Sequence, residues 1–157
     1  MLQERMAGTG TASLDIYLAD ELVQLGEEEQ FARDLYAAFF AKWGVQVFYT
    51  LVEEEGRHLA AIRSFLDRNG VRHSLGSGHP GVLNDAAAQT RYDELVAIGS
   101  RSLEDAYGVG IAIERAEIAL LSSLVTNETR PDVMVVARHL RADDYNHLAI
   151  LSFLGGK

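Results

Sequence analysis

The chain has no cysteine. That absence excludes disulfides, thiolate metal sites and any built-in iron–sulfur centre. Proline occurs only twice, which leaves room for long uninterrupted helices. No apolar run is long enough to cross a bilayer. The N-terminal stretch MLQERMAGTGTASLDIY lacks the apolar segment of a secretory leader. A soluble cytoplasmic protein is therefore the default expectation. Basic residues are scarce: 14 Lys and Arg stand against 23 Asp and Glu, for a net charge of −9. Such a balance argues against nucleic acid or an anionic membrane as partner. It suits a cation-binding protein, though by itself only weakly.

What is present is a globular composition. Of 157 residues, 48% are apolar, enough for one domain over residues 1–157 with a real core. Glycines and caps divide the chain into helices. A first helix is predicted from about Leu14 to Trp43, stopped by Gly44, with Gly26 as an interruption that bends it. A second runs from Val45 to Asn69 and ends at Gly70. So short a joint makes these two antiparallel neighbours. The stretch GVRHSLGSGHPGVLND then reads as an irregular connection, followed by a short helix from Asp85 to Ile98 with Gly99 as its stop. A third long helix begins at SLED, with Ser102 as N-cap and Asp105 three residues on, and reaches Val125. NETRP is a tight connection, and Pro131 suits the first turn of a fourth long helix ending near Leu154. Two helical hairpins joined by a long crossover are one known way to build a four-helix bundle.

Core positions in a bundle recur at alternating steps of three and four. The first helix gives Leu22, Leu25, Glu29, Ala32, Tyr36, Phe39 and Trp43. The second gives Phe48, Leu51, Glu55, His58, Ile62 and Phe65. The third gives Leu103, Tyr107, Gly110, Glu114, Glu117, Leu121 and Leu124. The fourth gives Val133, Ala137, Leu140, Asp144, His147, Leu151 and Leu154. Each stripe is apolar except near its middle. Seven ionisable groups are thus aimed inward: Glu29, Glu55, His58, Glu114, Glu117, Asp144 and His147.

Magnitudes decide what this means. An unpaired buried charge costs several kcal/mol even after relaxation, against a total domain stability of about 5–15 kcal/mol. No lysine or arginine lies on the four stripes. Carboxylates facing one another in this way need protons, solvent or cations. Two divalent cations would nearly neutralise the five carboxylates, and mixed carboxylate and imidazole donors suit iron or manganese, with zinc open. The i, i+3 spacing of Glu55 and His58 places both on one helix face, about 4.5 Å apart along the axis. A Glu-x-x-His pattern alone means little; its conjunction with the other stripes means more. Other groups take plainer readings. Glu27, Glu28, Glu53 and Glu54 read as solvated faces. His73, His79 and His139 read as surface histidines, and Tyr36, Trp43 and Tyr107 as core fillers. Gly108 and Gly110, shortly before Glu114, leave either a small access path or a close helix contact.

With these residues in place the sequence resembles the ferritin-like, or rubrerythrin-like, carboxylate-bridged di-iron proteins, and the resemblance covers the four long helices. EEEQFARDLY followed by EEEGRHL resembles an uncharacterised ferritin-like family in particular. Glu29-x-x-Ala32-x-x-x-Tyr36 is similar to the first-helix signature of ferritins. Glu114-x-x-Glu117 is similar to the rubrerythrin form of the third helix. The resemblance implies an all-α, ferritin-like four-helix bundle with a long crossover between the second and third long helices. It implies two metal ions per chain held by the seven residues, with Glu117 and His58 competing for one metal. Glu55, with Glu114 or Asp144, would bridge or cap. Asp144 departs from the usual glutamate and is one methylene shorter. The chain also lacks a rubredoxin-like cysteine module, so electrons would come from an external donor. The implied chemistry is ferroxidase or peroxidase oxidation with O₂ or H₂O₂. Iron storage, which needs a closed shell of subunits, and a binding module with structural zinc are the alternatives. Self-association into a homo-oligomer stays open.

Overall fold

The computed structural model describes residues 14–128 and 130–156. Most of the N-terminal stretch read as lacking a leader therefore lies outside the described residues, as does Thr129 of the NETRP connection. Among the described residues the chain is all helix, with no strand. The elements are α1 (Ile16–Trp43), α2 (Gln46–Arg68), α3 (Ala86–Gly99), α4 (Leu103–Asn127) and α5 (Pro131–Leu154). None of these helices is long and apolar enough to cross a membrane.

α1, α3 and α4 begin where a side chain satisfies one of the first free N–H groups. Asp15 accepts from the Leu18 amide at 2.9 Å, so α1 starts two residues later than the periodicity suggests. Asp85 caps α3 through the Ala88 amide, and Ser102 caps α4 through the Asp105 amide at 3.0 Å. Gly44 closes α1 in the left-handed region, at φ 64°, where a side chain would be strained. Pro131 occupies the first turn of α5. Gly99, expected as a stop, is instead the last residue of α3, and α4 runs two residues past Val125 to Asn127.

α1 packs closely on α2, and α4 closely on α5. The two hairpins then meet through α1 with α4 and through α2 with α5, and α3 lies against both α1 and α4. The interior consists of two apolar clusters. One, around Leu35, Phe39, Phe48 and Leu51, includes Tyr107, Ile111 and Leu151. The other, around Leu22, Leu25, Ile62 and Leu66, includes Leu121, Ala137 and Leu140. The ionisable residues of the four stripes fall between these clusters in sequence on every long helix. Leu154, placed on the fourth stripe, is 42% exposed and so ends that stripe at Leu151.

The crossover is held down on α1. Gln30 accepts from the Gly76 amide at 2.7 Å, and Asp34 accepts from the Gly81 amide at 2.9 Å. α1 continues through Gly26, which makes room for Leu75: a Cβ there would stand 2.4 Å from Leu75 Cδ1. That close approach accounts for the glycine.

Candidate metal centre

All seven inward groups are buried. None of Glu29, Glu55, His58, Glu114, Glu117, Asp144 and His147 is more than 4% exposed. Glu29 comes from α1, Glu55 and His58 from α2, Glu114 and Glu117 from α4, and Asp144 and His147 from α5. Two groups of potential ligand atoms form within this layer. Glu29, Glu55 and His58 make one; Glu55, Glu114, Asp144 and His147 make the other. In each, one donor atom per residue lies within 4.8 Å of the rest, and Glu55 belongs to both.

Glu55 presents one oxygen to each histidine. Its Oε2 is 3.0 Å from His58 Nδ1 and its Oε1 is 3.0 Å from His147 Nδ1. Glu29 Oε2 is 3.1 Å from His58 Nδ1, and Glu114 Oε2 is 3.4 Å from His147 Nδ1. Asp144 Oδ1 stands 3.6 Å from His58 Nδ1 and 4.0 Å from His147 Nδ1. The imidazoles stack across the layer with ring centres 5.7 Å apart. Both rings therefore turn Nδ1 toward the carboxylates of the layer and Nε2 toward its edge.

Despite these short separations, hydrogen bonds are largely missing. Both oxygens of Glu55, both of Asp144, both of Glu117, Glu29 Oε1, Glu114 Oε2 and His147 Nδ1 are buried without a hydrogen-bond partner. Buried polar atoms are rarely left in that state, because each forfeits its hydration. Donor atoms that converge in this way, with Glu55 at 3.0 Å from both histidines and the oxygens of Asp144 and Glu117 without a hydrogen-bond partner, have the arrangement a cation needs. These buried Glu, Asp and His groups could thus hold metal ions. Glu117 shares the layer with both oxygens free, but joins neither close group.

Protons would otherwise carry the charge. Burial, with Glu55 and Glu114 adding to it, pushes Asp144 up to about 8. Burial also holds Glu29, Glu114 and Glu117 above the ordinary carboxylate range. For Glu55 burial acts upward, yet contact with His147 and His58 outweighs it and brings the carboxyl down to about 2. For the histidines burial acts downward, and the carboxylates facing them win: both are pushed up to about 11. A metal-free layer therefore favours protons on its histidines and on Asp144, and a cation entering it would displace them.

Three residues that the sequence pattern did not place among the inward groups touch this layer. Glu54, expected on a solvated face, places Oε2 2.7 Å from His147 Nε2. Asp143 places Oδ2 3.3 Å from His58 Nε2. Each carboxylate directly precedes a Glu or Asp of the layer and braces the histidine of the opposite hairpin. A ring whose Nε2–H is held in this way presents the Nδ1 lone pair inward when neutral. The available signal was the doublet: Glu54-Glu55-x-x-His58 and Asp143-Asp144-x-x-His147 have the same form. Tyr36 is buried, as a core filler should be, but its hydroxyl also donates to Glu114 Oε1 at 2.5 Å. That leaves Glu114 a single free oxygen. Gly110 serves this contact, since a Cβ there would stand 3.0 Å from Leu151 and 3.3 Å from the Tyr36 ring. Close packing is thus the reading that holds for Gly110. Gly108 lines a surface hollow with Leu95 and Ile98 of α3. His79 and His139 are exposed as expected, whereas the His73 side chain is only 8% exposed and its Nε2 contacts Asp67.

Comparison with known proteins agrees with this fold. The chain is 30% identical to the uncharacterized protein MJ0754 of Methanocaldococcus jannaschii over 127 residues, which are 81% of this chain and 69% of that protein. The crystal structure of hypothetical protein MJ0754 from Methanococcus jannaschii superposes with a TM-score of 0.88 at 26% identity, covering 94% of this chain and 84% of that one. The profile of the uncharacterized protein domain DUF2202 matches residues 18–154, which include every residue of the layer. The chain belongs to the DUF2202 family.

Proposed function

We propose that the protein is a ferritin-like di-metal carboxylate protein, with iron as its metal, and that it oxidises ferrous iron or reduces peroxide. The observation that carries this reading is the set of buried, convergent oxygen and nitrogen donors without hydrogen-bond partners, arranged as two groups that share Glu55. Glu29, Glu55 and His58 would hold one ion, and Glu55, Glu114, Asp144 and His147 the other, with Glu117 a further carboxylate within the layer. A donor set of carboxylate and imidazole without thiolate suits iron or manganese, and zinc to a lesser degree. Held there as a pair, ferrous ions would supply two electrons to one molecule of O₂ or H₂O₂.

The chain's own residues do the rest. Glu54 and Asp143 orient the imidazoles, and Tyr36 occupies one oxygen of Glu114 so that the other stays available. The two apolar clusters keep bulk water from both ends of the layer. Because the chain has no cysteine, re-reduction falls to a separate donor. Paired hairpins with a long crossover are the architecture of ferritin-like bundles, and they support the same reading.

The test begins with metal content. After anaerobic loading with ferrous iron and desalting, about two irons per chain are expected, one for each group of donors. Glu55→Ala should lose both. The loaded protein should then consume O₂ or H₂O₂ faster than Glu55→Ala does. Equal rates in the two proteins would refute the redox reading. Retention of zinc in preference to iron, with no redox response, would replace it with a structural role.

A further inference from the structure

The layer is sealed from most directions, and the structure shows where it is thinnest. The α1–α2 and α4–α5 seams are the closely packed hairpin contacts. Of the two wider seams, α1–α4 is covered by α3, which lies on both helices. Its other end carries a hollow lined by Glu21, Gln24, Leu25, Leu120, Ser123 and Leu124, none of them a residue of the layer. The α2–α5 seam has the least helix-to-helix contact of all and no element across it among the described residues.

That seam carries a chain of cation ligands from solvent to the layer. His139 on the surface of α5 has a side chain 77% exposed, and its Nε2 stands 3.6 Å from Asp143 Oδ2. Asp143, 38% exposed, reaches His58 Nε2 at 3.3 Å. His58 in turn touches Glu29 and Glu55 through Nδ1. Glu54, 35% exposed, occupies the same seam from α2 against His147. These two carboxylates are the half-exposed groups in contact with the buried histidines; every residue of the layer itself is closed off. The i, i+4 spacing of His139 and Asp143 puts an imidazole and a carboxylate side by side on one helix face, a pair able to hold a partly hydrated divalent cation in passing.

We propose that divalent cations reach the buried layer through the α2–α5 seam, and that His139 with Asp143 is the first stop on that route. The proposal rests on the reading of the layer as a metal centre. It differs from that reading in concerning the rate of filling, not the final occupancy. His139 lies outside the layer, so its loss should slow loading without altering the number of ions bound.

Cobalt(II) is a suitable probe, because its visible absorption reports ligation without any redox step. Metal-free protein would be mixed with Co²⁺ in a stopped-flow instrument, and bound cobalt counted at the end. His139→Ala should load roughly tenfold more slowly, the low end of what losing an outer partner costs a metal site, and should reach the same stoichiometry. His139→Asp, which restores a cation ligand, should recover the rate. His79→Ala, at another exposed histidine, should load like the unaltered protein. Equal rates for His139→Ala and the unaltered protein would overturn the entry route while leaving the metal centre standing. A lower final stoichiometry in His139→Ala would also overturn it, since His139 would then be a ligand of the final site. Failure of the unaltered protein to bind cobalt, iron, manganese or zinc would remove the metal centre itself and the route with it.

Discussion

At the scale of single residues, the centre divides into groups that point along a stripe and groups that stand beside it. Glu29, Glu55, His58, Glu114, Glu117, Asp144 and His147 were legible because each occupies a step of three or four in an otherwise apolar series. Glu54 and Asp143 were not. A residue one place before a core position lies about 100° round the helix, on the flank, where it is solvated unless a neighbouring helix brings a partner. Only the α2–α5 pairing shows that both have one. The consequence for Glu54 is measurable. Glu54→Ala removes the acceptor at His147 Nε2, and loss of such an outer contact typically weakens metal binding about 10–100-fold. Calorimetric titration should show that loss with helix content unchanged. An affinity equal to that of the unaltered protein would mean that the ring is held by packing alone.

At the scale of elements, glycines and caps placed the helices to within two residues, because those signals act locally on the backbone. The path of the crossover was not legible, because it depends on pairs far apart in sequence: Gln30 with Gly76, Asp34 with Gly81, Gly26 with Leu75. None of these recurs with a helical period. Two glycines that sequence patterns treat alike, as breaks, turn out to be contact surfaces of different hardness. A Cβ at Gly99 would stand 2.3 Å from two atoms of the buried Phe39 ring, whereas at Gly26 it meets the flexible end of Leu75. Trp43 also donates to the Gly99 carbonyl at 2.9 Å, so displacement of α3 would break a second tie. Alanine gains up to about 1 kcal/mol of helix propensity at either position, against about 1–3 kcal/mol for overpacking. Gly99→Ala should therefore lower the urea midpoint clearly and Gly26→Ala less. The reverse order would show that the crossover is more rigidly seated than α3.

At the scale of the whole molecule, protons and cations compete for one layer, and the two forms should respond oppositely to pH. In the metal-free protein Asp144 is raised from 3.8 to about 8, so its contribution to stability is complete below pH 3.8 and is lost as pH rises through 8. His58 and His147 are raised from 6.5 to about 11, so theirs is complete below pH 6.5 and is lost on the way to 11. Within the layer Glu55 acts the other way: lowered from 4.5 to about 2, its contribution is present above pH 4.5 and is lost as pH falls through 2. Metal-free protein should therefore melt at progressively lower temperature from about pH 5 to about pH 9. Metal binding, which must displace those protons, strengthens over the same range. The difference in melting temperature between loaded and chelator-treated protein should grow with pH. A difference that shrinks would show that the ligands are not the protonated groups.

The position of this layer between two apolar clusters also bears on how the chain selects one arrangement of itself. Stripes of leucine, isoleucine and phenylalanine on four helices are much alike and could interlock after sliding by a helical turn, about 5.4 Å. With the layer present, any such slip sets a carboxylate against a leucine or a phenylalanine, at a cost of several kcal/mol. The residues that offer the chemistry thus also act as the alignment mark of the bundle. Replacing all seven by apolar residues of similar volume would yield a chain that holds together as well or better, but with less to tell it which turn of one hairpin belongs beside which turn of the other.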